Sequence, residues 1–151
     1  MLDQFQCSGV EKVYLDCLRG GHVLSEETLT AAAGFFREHR IDVAAGLTPT
    51  RGPGKASTHG RSWLCYTNDE TRTELEGIAR RTARLFDEII VDDFYCTHCQ
   101  CEECREAMGA RTWVEYYRDV LVEVAERHIV APIKAENPDA HVVIKYPQWY
   151  D

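Results

Sequence analysis

The sequence predicts an α/β fold in which parallel strands alternate with crossover helices, and three observations carry that reading. Short apolar, β-preferring runs recur at 12–16, 41–47, 88–91 and 141–146. Between them lie longer stretches whose apolar residues fall at steps of three and four. Ser, Gly and Pro punctuate the junctions. Such alternation pairs strands in parallel, because each return to the same edge needs a helix-length crossover.

Taken in order, residues 12–16 alternate polar with apolar side chains and run into Arg19-Gly20-Gly21, a strand entering a loop. Ser25 is a good N-cap, Glu26 and Glu27 suit the positive first turn, and Leu29, Ala32, Ala33 and Phe36 continue a helix to about His39. Residues 41–47 form a buried strand ending in the Gly/Pro-rich loop 48–60, and 63–66 make a very short strand. Thr67 followed three residues later by Glu70 reads as a capping box. The helix behind it buries Leu75, Ile78, Ala79, Thr82, Leu85 and Phe86 and turns Arg80, Arg81 and Arg84 outward. Strand 88–91 ends in Asp92 and Asp93. Trp113, Tyr116, Tyr117, Val120, Leu121 and Val124 mark three helical turns that Pro132 kinks or ends, and 141–146 is the last strand.

With 151 residues and 44 % hydrophobic content, the chain has the core of one globular domain. Two architectures fit the element order: an open doubly wound sheet and a (β/α)8 barrel. No Gly-rich phosphate loop opens a helix, which weakens the first. A full barrel takes roughly 250 residues, so the expectation is a partial (β/α)8 TIM barrel, 1–151, with about four to five parallel strands. The last strand is followed by no helix, as if the chain were cut at a strand's active end. A net charge of −8, from 17 Lys+Arg against 25 Asp+Glu, argues against a nucleic-acid partner. No run approaches the ~18 apolar residues of a membrane helix, and no basic flank precedes an apolar run at the start. Neither a membrane span nor a signal peptide is expected, and the cysteine usage leans to a reducing compartment.

In parallel α/β folds, function gathers beyond the C-terminal ends of the strands. That rule selects Asp16 with Arg19, residues 48–51, Asp92, Asp93, Tyr95, Lys145, Trp149 and Tyr150. Carboxylates, a phenol, cations and an indole together suit a carbohydrate, with Trp149 stacking on a sugar ring. Asp92 and Asp93 are adjacent on a strand and point to opposite faces, so one of them is the candidate general acid. The alternative is that both cap loop amides or anchor Arg19. The stripe Trp113, Tyr116, Tyr117 reads as packing, and His22, His59, His128 and His141 as ordinary surface or packing residues.

The seven cysteines are unevenly spaced: Cys7, Cys17 and Cys65 are scattered, whereas Cys96, Cys99, Cys101 and Cys104 fall within nine residues. An odd total speaks against a disulfide framework. Thiolates one and two residues apart can converge on a tetrahedral Zn²⁺. Cys99, Cys101 and Cys104 supply three ligands, with Cys65 preferred as the fourth, Cys96 as the alternative and His98 weaker. Reduced loop thiols, a catalytic cysteine, and a thioredoxin-like pair at Cys96 and Cys99 are the competing readings.

From Phe86 through Asp92-Asp93-Phe94-Tyr95 and the C-x-C-x-x-C run, the sequence resembles barrel-type glycoside hydrolases and bacterial glycosidase-like barrels. More distantly, it resembles the zinc-bearing β-galactosidases of glycoside hydrolase family 42. The resemblance implies a structural zinc held by Cys65, Cys99, Cys101 and Cys104. Those enzymes carry Asn-Glu where this chain has Asp92-Asp93, so by position Asp93 stands for the acid/base, with the nucleophile on a later strand that this chain does not contain. The implied activity is hydrolysis of O-glycosidic bonds. A non-catalytic zinc-stabilised carbohydrate-binding or interaction domain is the first alternative, and a small cysteine-based redox or metal protein the second.

Overall fold

In the computed structural model of the chain, residues 5, 7–50, 63–92 and 94–146 are described. The strands are β1 (Lys12–Arg19), β2 (His22–Val23), β3 (Asp42–Leu47), β4 (Glu88–Val91) and β5 (His141–Ile144). The helices are α1 (Glu26–Glu38), α2 (Asp69–Ala83), α3 (Glu102–Met108), α4 (Trp113–Val124) and α5 (Ala131–Glu136), with a π-helical stretch, Ala125–Val130, joining the last two. They build an α/β fold around a five-stranded sheet of order β2-β1-β3-β4-β5, in which only β2 is antiparallel to its neighbour.

The parallel strands β1, β3, β4 and β5 therefore lie side by side in chain order. Right-handed crossovers that always advance in one direction put every helix on the same face, whereas a doubly wound sheet reverses direction and covers both. The packing agrees. Leu29 and Ala33 of α1, Leu75, Ile78 and Ala79 of α2, and Leu121 and Val124 of α4 share one core with Ala45, Leu47, Ile89 and Val91. Tyr14, Ala44, Ile90 and Val143, which alternate with those strand positions, lie outside that core. Their face carries no helix core among the described residues.

Several elements differ from expectation for identifiable reasons. β1 runs three residues further than 12–16, with its register shifting between Asp16 and Leu18. That bulge lets Cys17 and Leu18 both enter the core while Asp16 stays on the open face. Gly20 and Gly21, with φ of 58° and 86°, then turn the chain into β2, because a two-residue turn with both φ positive matches strand twist. The expected strand at 63–66 is reduced to bridge residues at Trp63 and Leu64, Trp63 pairing with Thr50.

α2 is capped by Asn68, whose side chain accepts from Thr71 N, and not by the expected Thr67 and Glu70. The hydroxyl of Thr67 is engaged elsewhere. A capping box does occur at Thr112 and Glu115, ahead of α4. Pro132 ends nothing: the helix widens into the π stretch and continues to Glu136, a wider turn that accommodates the missing N–H. No described helix is long and apolar enough to cross a membrane.

The two faces of β4 should respond differently to truncation. Ile89→Ala, at a fully buried position in the shared core, is expected to cost about 2–5 kcal/mol. Ile90→Ala, on the open face, should cost well under half as much in the same urea titration.

Candidate functional site

The open face is organised in rows because β1, β3 and β4 are in register. Tyr14 pairs with Ala44, and Asp16 pairs with Gly46, which pairs with Ile90. The small residues of β3 let longer side chains of the flanking strands cross it. Tyr14 OH donates to Glu88 Oε1 at 2.6 Å and Lys12 Nζ to Glu88 Oε2 at 2.7 Å. Those two bonds, that from Lys12 foremost, hold the Glu88 carboxyl below the usual carboxylate range. This network closes the N-terminal end of the face.

The C-terminal end is less filled. Asp16 Oδ2 accepts from Arg19 Nη1 at 3.0 Å, and Asp92 Oδ1 accepts from Lys145 Nζ at 2.8 Å. Between them lies a cleft of about 250 Å³ lined by Tyr14, Asp16, Arg19, Gly46, Thr48, Ile90 and Asp92. A second hollow of about 180 Å³ shares Arg19 and Thr48 with it and adds Gly20, Thr50 and Phe94. The ladder continues past the strand ends, with Asp92 N donating to Leu47 O and Lys145 N to Val91 O, both at 2.9 Å. Asp92 and Lys145 are thus positioned by sheet hydrogen bonds on their backbones.

Of the residues selected from the sequence, Asp16, Arg19, Asp92 and Lys145 come together at this end of the face. Tyr95 does not. It is 0 % exposed, its hydroxyl donates to Leu121 O at 2.9 Å, and its ring packs on Tyr66 and Tyr146. The expected sugar contact is therefore corrected to an anchor of the loop behind Asp92. Asp93, Trp149, Tyr150, Arg51 and His59 lie outside the described residues. Gly46 and Tyr14 were missed by the sequence reading, although strand alternation from Asp16 marks Tyr14. Gly46 matters sterically, because a Cβ there would lie 3.3 Å from Asp16 Oδ1.

Behind β4, four cysteines converge. Cys101 is the N-cap of α3 and Cys104 lies in its first turn, Cys99 precedes them, and Cys65 reaches in from the segment after the Thr50–Trp63 bridge. The four sulfurs lie within 4.8 Å of one another. Cys65 is 3.8 Å from Cys101 and 3.6 Å from Cys104, and Cys101 is 3.6 Å from Cys104. A tetrahedral ion with thiolate bonds of ~2.3 Å needs sulfurs about 3.8 Å apart, so the set fits a metal ion such as Zn²⁺. Cys96 stands apart, its thiol donating to Phe94 O at 3.6 Å. His98 packs its ring against Trp63 and Tyr117.

Hydrogen bonds, from Cys65 first and then from Thr67, Cys101 and Tyr116, pull Cys104 down to about 5, and Cys65 is pushed up in return. Cys17 behaves as a small hydrophobe, its thiol pushed up to about 11 by burial, whereas Cys7 is exposed.

Residues 2–151 match the family described as probable glycosyl hydrolase, catalytic domain. The chain belongs to that family. An uncharacterized protein of Saccharolobus solfataricus is 25 % identical over 173 residues, covering 99 % of this chain and 29 % of its own length. Among solved structures, α-L-fucosidase isoenzyme 2 from Paenibacillus thiaminolyticus matches with a TM-score of 0.68 at 13 % identity, over 95 % of this chain and 28 % of that one. That second likeness is one of fold. This glycosyl hydrolase catalytic domain chain spans less than a third of the length of either relative. The resemblance to glycoside hydrolases read from Phe86 onward is met at the level of the family.

The role of Gly46 can be isolated by a double-mutant cycle. Gly46→Val should destabilise the chain by about 1–3 kcal/mol through crowding, despite valine's preference for strands. In an Asp16→Ala background the same change should cost much less, read by thermal and urea unfolding.

Proposed function

We propose that the protein hydrolyses O-glycosidic bonds, and that these residues form part of a (β/α)8 barrel whose inner wall is the open sheet face. The observation that carries the proposal is the face itself: parallel strands in sequential order, helices on one side, and Asp16, Arg19, Asp92 and Lys145 gathered at the C-terminal ends of the other. Membership of the glycosyl hydrolase catalytic domain family supports the chemistry.

Such hydrolysis needs two carboxyl groups, one to protonate the leaving oxygen and one to attack the anomeric carbon or activate water. One of the pair is Asp93 or Asp92, and the other comes from strands outside these residues. Asp92, bonded to the Lys145 ammonium, is suited to working in its charged form, and Asp93 takes the acid/base role by its position in the sequence. Asp16, Arg19, Lys145 and Trp149 bind and orient the sugar.

Cys65, Cys99, Cys101 and Cys104 would hold a structural Zn²⁺, which would stiffen the loop after β4 and take no part in the reaction. This donor set is also the one implied by the likeness to zinc-bearing β-galactosidases.

The test uses the complete reading frame that contains residues 1–151, with a panel of aryl glycosides. The wild type should turn over at least one of them, and Asp93→Asn should lower kcat/KM about 10²–10⁴-fold, as loss of a general acid does. Sugar binding with no turnover by the wild type would move the protein to a non-catalytic carbohydrate-binding role. Metal analysis should find one zinc per chain, lost in Cys65→Ser. A reducible disulfide among these cysteines would instead favour a thiol redox protein.

A further inference from the structure

Four thiolates around one divalent cation leave a net negative charge, and here that charge is enclosed: Cys65, Cys99 and Cys104 are buried. Buried charge without hydrogen-bond donors is costly, and groups one shell out from a metal usually supply them. The Cys104 sulfur has such a donor in Thr67, whose Oγ1 lies 3.1 Å away. The same Oγ1 is hydrogen-bonded to the hydroxyl of Tyr116. A thiolate only accepts, so both hydroxyls turn their protons toward it: Thr67 gives its single proton to Cys104 and its oxygen accepts from Tyr116, whose hydroxyl also lies within hydrogen-bond reach of the Cys104 sulfur.

The two hydroxyls come from different elements. Thr67 immediately precedes the cap of α2, and Tyr116 lies in the first turns of α4, its ring against Trp113 and Tyr117 and beneath the Arg111 guanidinium at 5.2 Å. This packing fixes the phenol. It also explains why Thr67 does not cap α2: its hydroxyl is committed to sulfur, and Asn68 caps instead.

Resting on the reading of the four cysteines as a metal centre, we infer that Thr67 and Tyr116 form a directed hydroxyl relay onto the Cys104 sulfur that sets how tightly the centre holds its ion. Both are positioning residues, acting through Cys104.

The experiment loads the full chain with Co²⁺ and follows its sulfur-to-metal charge-transfer absorption and its release to a chelator. Thr67→Val and Tyr116→Phe should each still bind one ion per chain, but about 10–100-fold more weakly. Their charge-transfer band should move to longer wavelength, because a sulfur relieved of a hydrogen bond donates electrons more readily. Thr67→Ser, which keeps the hydroxyl, should restore both properties; a packing role for the threonine methyl would not be rescued in this way. Unchanged affinity and spectrum in Tyr116→Phe would overturn the relay, and so would a serine variant that behaves like valine. If Thr67→Val does not fold, Tyr116→Phe decides alone, since it removes one oxygen and leaves the ring packing. A wild-type chain that takes up no Co²⁺ would refute the metal reading itself, a result distinct from normal uptake that the variants leave untouched.

Discussion

The rest of the structure depends on the direction in which the chain winds. Each crossover from β1 to β3, β3 to β4 and β4 to β5 moves one strand further the same way, and with the right-handed sense that such crossovers take the helices accumulate on one face. Reversal at a crossover would have placed a helix on the face that carries Asp16 and Asp92. Instead the sheet has one dry face packed by Ala45, Leu47, Ile89 and Val91 and one face whose side chains bond to one another.

On that second face, side-chain size in β3 decides the geometry. Neighbouring strands are about 4.8 Å apart, so a side chain of β1 meets one of β4 only by crossing β3. Ala44 and Gly46 leave that path open. At the N-terminal end the crossing is used for structure, by Tyr14 and Lys12 onto Glu88. At the C-terminal end Asp16 lies over Gly46 and turns to Arg19, and the cleft between it and Asp92 stays open. The same strands thus provide a closed floor and an open mouth.

What was legible in the sequence follows the range of the interactions involved. Strand and helix identities came from local periodicity, and β3, α2, β4 and α4 lie close to where the apolar spacing puts them. The tetrad Cys65, Cys99, Cys101 and Cys104 was legible because close spacing limits which thiols can converge and a strand-end location favours Cys65 over Cys96. Tyr95 was misread because its placement after a strand suggests a surface, while its burial depends on Tyr66, Leu121 and Tyr146, from three other segments. Thr67 was misread for a related reason. A local capping rule assigns its hydroxyl to a helix end, and a sulfur 37 residues away takes it instead. The bulge at Asp16–Leu18 has no composition signal, since it depends on the register with β3.

Two of these misreadings meet at the segment joining β4 to α4: Tyr95 lies in it, and Thr67 bonds to its Cys104 from outside. Starting at Asp92, the chain is held first by Tyr95 to the Leu121 carbonyl, then by Thr97 Oγ1 to the Leu64 carbonyl at 2.8 Å, then by the cysteine sulfurs gathered with Cys65. Leu64 and Cys65 are consecutive, so two of the three anchors tie the segment to the same stretch of backbone. A carboxylate at a strand end keeps its position only if the loop that follows cannot pull it away. The buried tyrosine, the threonine and the sulfur cluster restrain that loop from the helix side of the sheet, while Lys145 holds the Asp92 carboxylate on the open side. The position of Asp92 on one face therefore relies on rigidity supplied from the other, where the sulfur cluster ties down the segment that follows β4.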